Sequence, residues 1–251
     1  MNETDLSITS YGKVKDKKYD LAILPWGSTE PHNYHLPYLT DSIISYHISI
    51  DALQWAMQQS GVRGMVLPAV TMGSQNPGQT ELPFCFHARY ETQKAILTDI
   101  VASLHRQGMK MLVLINGHGG NSFKNMIRDL AVEYPDFTIA LVDWYAIVPQ
   151  AGFFEEKDDH AGEMETSLMM YYHPEIVSLQ EAGDGVSKPF ALPTLQEKTA
   201  WIPRNWSKIS ADTGVGNPKN ASAEKGKRYA KAIIEKIGQF FVEFITQDTY
   251  F

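Results

Sequence analysis

The sequence predicts an α/β fold with a mainly parallel sheet, formed by a single domain over residues 1–251. Short, almost continuously apolar runs alternate with longer stretches of helical period, a pattern typical of parallel strands covered by helices on both faces. A chain of this length can bury one substantial core. Hydrophobic residues make up 43% of it and charged residues 20%, as in an ordinary globular protein.

The elements follow from local patterns. Strands are predicted at 20–25 (DLAILP), 64–70 (GMVLPAV), 110–115 (KMLVLI) and 138–143 (TIALVD). Helices are predicted at 41–60, 91–107, 121–133, 162–173 and 221–246. Thr40 and Asp41 are typical of a helix start, and Gly108 is typical of a helix end. Residues 174–219, here called the cover segment, are irregular and rich in Pro, Gly and Trp. We expect them to cover the site or to form a subunit contact.

Composition excludes several classes of function. The formal net charge of -7 argues against nucleic acid or an anionic membrane as partner, because both attract basic patches. No apolar stretch approaches the roughly 20 residues of a membrane helix, and the N-terminus lacks the apolar core of a signal peptide. We therefore expect a cytoplasmic protein. The single cysteine, Cys85, excludes an internal disulfide and a thiolate zinc cluster, so any metal must be held by His, Asp and Glu.

Side chains able to bind metal follow three of the predicted strands. Glu30 and His32 follow the first strand and His118 follows the third, while the segment after the fourth strand reaches His160 and Glu165. In open parallel sheets, sites form at the carboxyl ends of the strands, so we expect these groups at one edge. Their convergence predicts a metal or catalytic site.

Each of these residues also has an ordinary structural interpretation. Glu30 and His32 are two apart, so both face one ion in an extended segment, although a polar turn uses the same residues. Asp41 suits either a helix N-cap or a carboxylate that bridges two metals, and the sequence leaves both open. Packing roles are expected for histidines outside the motifs, namely His47, His87, His105 and His173.

The loop NGHGGN at 116–121 supports an alternative function. Its glycines allow the backbone to approach a ligand, and the following helix offers free N–H groups, as in phosphate sites. This favours a nucleotide- or sugar-phosphate-binding enzyme of another class. However, the loop lacks the glycine spacing of the dinucleotide fingerprint, and His118 fits poorly in a bare phosphate cradle.

Glu163 and Glu165 stand in the first turn of a predicted helix, where the dipole favours acidic residues in any case. Two residues apart on a helix, they point to nearly opposite sides, so at most one of them serves the site. Periodicity does not decide which.

Taken together, these motifs resemble the creatininase family of metal-dependent amidohydrolases. LPWGSTEPHNYHLPYLTD (24–41) is similar to the family's first block, NGHGGN to its second and HAGEMETS (160–167) to its third. TGVGNPKNASAEKGKRYAKA (213–232) is similar to its closing Gly-rich segment and last helix. The four blocks occur in the same order over most of the chain.

The resemblance implies a three-layer α/β/α sandwich, two divalent metals at the strand ends and a ring-shaped homo-oligomer such as a hexamer. Carried over by position, Glu30, Asp41 and His118 hold one metal, while His32 and the bridging Asp41 hold the second. His160 and Glu165 match the family's catalytic histidine and glutamate.

Two departures from the family pattern concern the substrate. Creatininase has a Tyr-Glu pair, whose glutamate is a ligand, where this chain has Gly119 and Gly120. We expect Glu165 to supply the missing ligand, and we expect a substrate other than creatinine. Family members with the double glycine, such as pyrimidine formamide deformylases and the mycofactocin-peptide peptidase, cleave other amides. The family's usual Gly-Pro is Asn33-Tyr34 here, which is expected to alter the wall beside the metals.

These observations predict a hydrolase acting on the carbon–nitrogen bond of a small-molecule amide other than a peptide. Oxygen and imidazole ligands suit two zinc, manganese or iron ions, with zinc named first. His160 is expected to shuttle the proton to the leaving nitrogen, and backbone N–H groups of Gly119 and Gly120 to bind the substrate oxyanion. A third hypothesis is a metal-binding family member without turnover.

Overall fold

The computed structural model describes residues 4–157 and 159–250. Its strands are β1 (Leu21–Trp26), β2 (Gly64–Val66), β3 (Met111–Asn116) and β4 (Thr138–Asp143). Its α-helices are α1 (Tyr11–Val14), α2 (Thr40–Ser60), α3 (Tyr90–Arg106), α4 (Lys124–Glu133), α5 (Glu163–Tyr172), α6 (Pro193–Gln196), α7 (Trp206–Ile209) and α8 (Ala223–Thr246). Short 3-10 turns occur at Trp144–Ala146, Pro174–Ile176, Leu179–Glu181 and Pro218–Asn220.

The four strands form one parallel sheet in the order β2-β1-β3-β4. β1 lies in the middle, pairing Ala22 with Leu112 on β3 and Leu21 with Gly64 on β2. β4 pairs with β3 over its whole length, up to Asn116 and Asp143. All four carboxyl ends therefore meet at the same edge of the sheet, as the predicted strand pattern requires.

Alternate residues of the sheet enter two separate cores. From β1, Leu21 and Ile23 pack with α2, α5 and α8, whereas Ala22, Leu24 and Trp26 pack with α3 and α4. Because both faces of the sheet are covered, each strand is apolar throughout rather than alternating. The predicted α/β fold, with a mainly parallel sheet between two helix layers, is confirmed.

The longest helix shows how one layer is assembled. α8 buries a stripe of apolar side chains in the core on one side of the sheet, including Tyr229, Ile233, Ile237 and Phe241, all fully buried. The spacing of four residues places them on one face of the helix. The same stripe packs on both α2 and α5, so it holds in place the two helices that carry acidic site residues.

Most predicted boundaries lie within three residues of the observed ones, but one strand was predicted too long, and the structure decides between the two roles left open for Asp41. β2 ends at Val66 rather than at residue 70, because the chain turns away after Val66 and only Val70 bridges back to Trp26. The N-cap of α2 is Leu39, and Asp41 is the second residue of the helix. Asp41 is thus not the cap, and its carboxylate is free to face the site.

Close packing of α2 against the strand ends positions Asp41. A Cβ at Gly117, directly after β3, would lie 2.2 Å from Ser45 Oγ and 2.8 Å from the Asp41 carbonyl oxygen. Only glycine permits this approach between helix and strand end.

Within the described residues, no helix combines the length and the hydropathy that a membrane crossing requires.

Candidate metal centre

Six buried polar side chains converge at the carboxyl edge of the sheet. They come from the segment after β1, from the first turn of α2, from the loop after β3 and from the start of α5. We call this group the carboxylate–imidazole cluster: Glu30, His32, Asp41, His118, His160 and Glu165. Burying ionised carboxylates is costly unless cations or hydrogen bonds compensate them, so their partners define what the cluster can do.

One set of ligand atoms surrounds His118. Its Nδ1 lies 2.9 Å from Glu30 Oε1 and 3.1 Å from Asp41 Oδ2. Its other nitrogen, Nε2, donates a hydrogen bond of 2.7 Å to the carbonyl of Ser74. Because a carbonyl only accepts, the proton of a neutral His118 sits on Nε2, and the Nδ1 lone pair faces the two carboxylates. Three electron-pair donors thus converge within 4.8 Å of one another.

A second set shares Asp41 with the first. His32 Nε2 lies 3.0 Å from Asp41 Oδ1, and His32 Nδ1 donates a hydrogen bond of 3.0 Å to the carbonyl of Glu30. Glu165 brings a carboxylate oxygen within the same 4.8 Å. The two oxygens of Asp41 therefore face different imidazoles, which is the arrangement of a carboxylate that bridges two ions. Backbone carbonyls fix both imidazoles, as is usual for metal-binding histidines.

The cluster fits divalent metal on a further observation. Asp41 Oδ2 is buried yet accepts no hydrogen bond among the described residues. No lysine or arginine of the described chain lies within ion-pair distance of Glu30 or Asp41; the nearby nitrogens belong to imidazoles. An unpaired buried oxygen and converging lone pairs call for a cation, and imidazole with carboxylate suits zinc, manganese or iron.

The electrostatics point the same way. Burial opposes the charged imidazolium of His32, but Asp41 and the neighbouring carboxylates raise its pKa to about 10. Burial opposes charge on His118 also, and Glu30 and Asp41 nevertheless hold its pKa well above its usual value. Burial favours a neutral Asp41, yet the His32 and His118 rings lower its pKa. A field that favours a proton at these nitrogens also favours a divalent cation.

The two glutamates at the start of α5 have different surroundings. Glu165 faces the cluster, and its Oε2 accepts a hydrogen bond of 2.6 Å from the backbone of Ala161. Glu163 points the other way, forming an ion pair of 2.5 Å with Lys225 on α8 and accepting two backbone N–H bonds, one of them from Glu155. The structure thus brings Glu165, and not Glu163, to the other site residues.

His160 lies at the rim of the cluster. Its Nε2 donates a hydrogen bond of 2.9 Å to the carbonyl of Pro31, and its Nδ1 lies 3.8 Å from Glu30 Oε1. Burial lowers its pKa, and the positive charge of His32 lowers it further. Glu30, His32 and His160 also form a third group of possible ligands. By geometry, His160 is therefore either a further ligand or a proton carrier.

A cavity of about 610 Å³ opens above the cluster. Gly119 and Gly120 line it beside His118, and no described residue accepts a hydrogen bond from either backbone N–H. A Cβ at Gly120 would lie 2.1 Å from the Ser74 carbonyl, so glycine is required where this loop passes the fixed imidazole. The cover segment contributes to the wall at Trp201–Arg204 and Trp206. The expectation that this segment covers the site is therefore met at these residues.

Sequence reasoning missed the contribution of the loop after β2. Gln79 donates a hydrogen bond of 2.7 Å to Glu30 Oε2, and Ser74 accepts from His118. Both belong to the Gly- and Pro-rich stretch GSQNPGQ at 73–79. The rule that sites form at strand ends would have found it, had it been applied to the second strand also.

Other candidates lie away from the cavity. Asn33 bonds to Gly183, with 2.8 Å from the Gly183 N–H to its Oδ1, and Tyr34 is largely exposed. Neither residue lines the metal cavity, so the expectation that they alter the wall beside the metals is wrong. Asn33 instead connects the segment after β1 to the cover segment. His35 bonds to Thr166 at 2.8 Å, and burial with the charge of His32 lowers its pKa to about 4.

Four histidines were expected to have packing roles, and none of them belongs to the groups of possible metal ligands found among the described residues. His47 and His173 contact each other at 2.8 Å, and His105 pairs with Asp136. His87 accepts a hydrogen bond from the backbone of Gln75.

Comparison with known proteins agrees with this geometry. A family model described as creatininase, creatinine amidohydrolase, matches residues 4–241. The chain belongs to the creatininase family. Members of this family are hydrolases, and the resemblance of the sequence motifs is confirmed.

Two relatives show the range of named activities in the creatininase family. A mycofactocin precursor peptide peptidase of Mycobacterium ulcerans (strain Agy99) is 26% identical over 220 residues, covering 85% of this chain and 81% of that protein. A creatinine amidohydrolase of Pseudomonas putida is 25% identical over 254 residues, covering 90% and 93%. The two relatives are named for different substrates, so membership of the family does not by itself identify the substrate of this chain.

Solved structures confirm the creatininase fold. A crystal structure of a candidate creatinine amidohydrolase from Bacteroides fragilis NCTC 9343 has 60% identity and a TM-score of 0.98, covering 100% of both chains. A mutant creatininase described as a Zn–Zn type has 21% identity and a TM-score of 0.80, covering 97% of this chain and 98% of that one. A creatininase described as Mn has a TM-score of 0.78, 21% identity and 97% and 99% coverage. Divalent metals thus occur in proteins of this fold.

Proposed function

We propose that this protein is a metal-dependent amidohydrolase that hydrolyses a carbon–nitrogen amide bond, outside the peptide class, in a small molecule. The observation that supports it most is the position of Asp41, whose Oδ1 lies 3.0 Å from His32 and whose Oδ2 lies 3.1 Å from His118. One buried carboxylate between two fixed imidazoles suits two ions, with Glu30 completing one set and Glu165 the other.

When bound, divalent ions at such a site acidify water to a pKa of about 7 and polarise an amide carbonyl. The chain's own residues would orient and protect this chemistry. Gln79 holds the outer oxygen of Glu30, leaving Oε1 toward His118. Ser74 holds the His118 ring through its Nε2 proton. These bonds fix the ligand atoms before any metal or substrate binds, which is the preorganisation that a catalytic site requires.

Amide cleavage also requires a proton at the leaving nitrogen, and we assign its delivery to His160. Its Nε2 is held by Pro31, so Nδ1 is the nitrogen that faces Glu30 and the cavity. Imidazole is the side chain that carries protons near neutral pH, and burial lowers the pKa of His160, which favours release of its proton to the leaving nitrogen. The N–H groups of Gly119 and Gly120, on the cavity wall, are assigned to bind the carbonyl oxygen as negative charge develops.

The alternative of a phosphate-binding enzyme has less support. The glycine loop does face a cavity, but three buried carboxylates lie beside it: Glu30 lines that cavity, and Asp41 and Glu165 line a smaller one together with Gly119. These carboxylates repel a phosphate unless metal ions lie between them. A phosphate site would therefore also need metal ions, which is the main feature of the proposed amidohydrolase site.

Metal-dependent turnover tests the proposal. Purified protein, stripped with a chelator and reloaded with Zn²⁺ or Mn²⁺, is assayed for release of free amine from formamides, lactams and cyclic ureides. We expect turnover with metal and none after chelation. If the reloaded protein binds two ions per chain but cleaves no amide, it is a metal-binding family member without this activity. If it binds no metal, the assignment of the cluster is wrong.

A further inference from the structure

A second groove adjoins the metal cavity. It has a volume of about 1010 Å³ and shares Trp201, Ile202 and Arg204 with that cavity. We call it the lysine groove, since Lys157, Lys188 and Lys198 also line it. Because the same three residues border both spaces, a ligand that passes them occupies the metal cavity at one end and the lysine groove at the other.

The charge of the groove is opposite to that of the protein. Among the described residues, four lysines or arginines line it and no aspartate or glutamate does, although the chain has 29 acidic and 22 basic residues. Arg204 is paired with Asp159. In the described part of the chain, none of the three groove lysines has a carboxylate within ion-pair distance. Such uncompensated ammonium groups attract anions.

The groove also presents apolar surface. Trp201 is 82% exposed and Ile202 is 47% exposed, and Phe190 lies further along the same groove. Large exposed apolar side chains next to cations suit a ligand with both a hydrocarbon part and an anionic end. Pockets of roughly 300–1,000 Å³ hold whole drug-sized ligands, so the two spaces together exceed what one small ring requires.

The backbone of Lys198 makes it a suitable position for a test by substitution. Its φ is 61°, in the left-handed region that bulky side chains rarely adopt. The fold gives it this conformation within a turn in which its N–H bonds to Leu195. A glycine would adopt the same backbone without strain. Lys198→Gly therefore removes the ammonium group without imposing a backbone cost.

We propose that the lysine groove binds the anionic end, a carboxylate or a phosphate, of an extended amide substrate whose scissile bond lies at the metal centre. This inference rests on the proposed amidohydrolase function. In the reaction, water adds across the C–N bond to give a carboxylic acid and a free amine. The anionic end is bound but not changed, so the groove selects the substrate and takes no part in the chemistry.

The test uses N-formyl amines of graded chain length, each ending in a carboxylate, a phosphate monoester or a neutral carboxamide. Metal-loaded full-length protein is assayed for release of the free amine. At the length that spans both spaces, we expect the kcat/KM of an anionic probe to exceed that of the carboxamide by about tenfold or more, the effect of one or two partly exposed charge contacts. The carboxylate and phosphate arms identify which anion is preferred.

Charge changes in the groove should remove this preference. In the double variant Lys188→Glu, Lys198→Gly, the ratio of anionic to neutral kcat/KM should fall to about one or below. Lys227→Glu on α8, an exposed lysine that lines neither space, is the matched control and should keep the ratio of the unmodified protein. Equal ratios in the unmodified protein and the groove variant would overturn the inference while leaving amide hydrolysis intact.

Calorimetric binding of the same probes separates the two proposals. If no formamide is cleaved but the anionic probes bind about tenfold more tightly than the carboxamide, and lose that advantage in the groove variant, the groove is supported and the proposed reaction fails for these amides. If the anionic and neutral probes bind equally, the groove inference is wrong whether or not turnover occurs.

Discussion

The carboxylate–imidazole cluster and the cover segment are built in opposite ways. In the cluster, a backbone carbonyl holds one nitrogen of each imidazole, and all six side chains are buried. The cover segment contains only short helical turns, and Trp201, which faces both cavities, is 82% exposed. The cluster lies among packed helices and strands, whereas the cover segment is held by separate hydrogen bonds along its length, such as those from Trp206 to Pro77 and between Val215 and His160.

This difference separates two requirements of one site. Metal ligands have to be held within about 0.5 Å of a productive geometry, which only a packed scaffold with saturated hydrogen bonds provides. A surface that selects substrates tolerates variation, because its side chains can change without moving the ligands. We therefore expect substitutions in the cluster to abolish metal binding or turnover, and substitutions in the cover segment to alter substrate preference.

The largest effect is expected at Asp41. Asp41→Ala removes the oxygens that face His32 and His118, so most of both metals should be lost and turnover should fall to background. Elemental analysis of purified protein measures this. Asp51→Asn, on the same helix and bonded to Tyr172 rather than to the cluster, is the control and should retain both ions. Full metal occupancy in Asp41→Ala would exclude Asp41 as the bridge.

The next largest effect is expected at His160. His160→Ala should keep both metals and the fold while turnover falls by roughly 10² to 10⁴, the usual contribution of a positioned acid–base group. Metal content and turnover are measured on the same preparation. A loss of metal in proportion to activity would instead make His160 a ligand with Glu30 and His32, and would leave the proton carrier unassigned.

The two glutamates of α5 offer a matched pair within one helical turn. Glu165→Gln should lose metal with little effect on folding. Glu163→Gln should keep the metal but lower the free energy of unfolding by about 1–3 kcal/mol, because Lys225 loses its buried partner. Thermal denaturation and elemental analysis of both variants check this. The opposite assignment follows if Glu163→Gln loses metal at unchanged stability.

The sequence was sufficient for the sheet and for much of the cluster. The apolar runs at the four strands and the short motifs after them are local signals, and the fold places all strand ends at one edge whatever the details of packing. Helical periodicity alone could not distinguish Glu163 from Glu165, and the choice of Glu165 came from the resemblance to the family's third block. In the structure, the choice depends on Lys225, which lies on α8, 62 positions along the chain from Glu163.

The cover segment was less predictable for a physical reason. Its cavity-facing side chains follow neither the helical nor the strand period, because short turns with exposed residues carry no hydrophobic pattern. The positions of Trp201 and Arg204 depend on contacts with distant residues, such as Asp159 for Arg204. Similarly, nothing local indicates that Gln79 reaches Glu30, because the loop after β2 is placed by the sheet and not by its own pattern.

The smallest effect is expected where the two regions are joined. Asn33 follows His32 directly, has a left-handed φ of 55° and exchanges hydrogen bonds with both backbone groups of Gly183. Asn33→Gly keeps that backbone conformation but removes these bonds, so the cover segment should open more often. We expect a stability loss of about 1–2 kcal/mol and a KM several-fold higher, at unchanged metal content.

Hydrogen exchange distinguishes this anchor from a general loss of stability. In Asn33→Gly, amides at 183–186 and 212–216 should exchange faster while those of β1 and β3 remain protected, because only the contact between Asn33 and the cover segment has been weakened. Asn217→Gly, which removes one local bond to the Lys219 N–H elsewhere in the cover segment, is the control and should leave KM unchanged. If metal content falls in Asn33→Gly, the segment above the site also fixes the ligands, and the separation between a rigid centre and an adjustable cover is wrong. If exchange is unchanged, Asn33 is not the anchor.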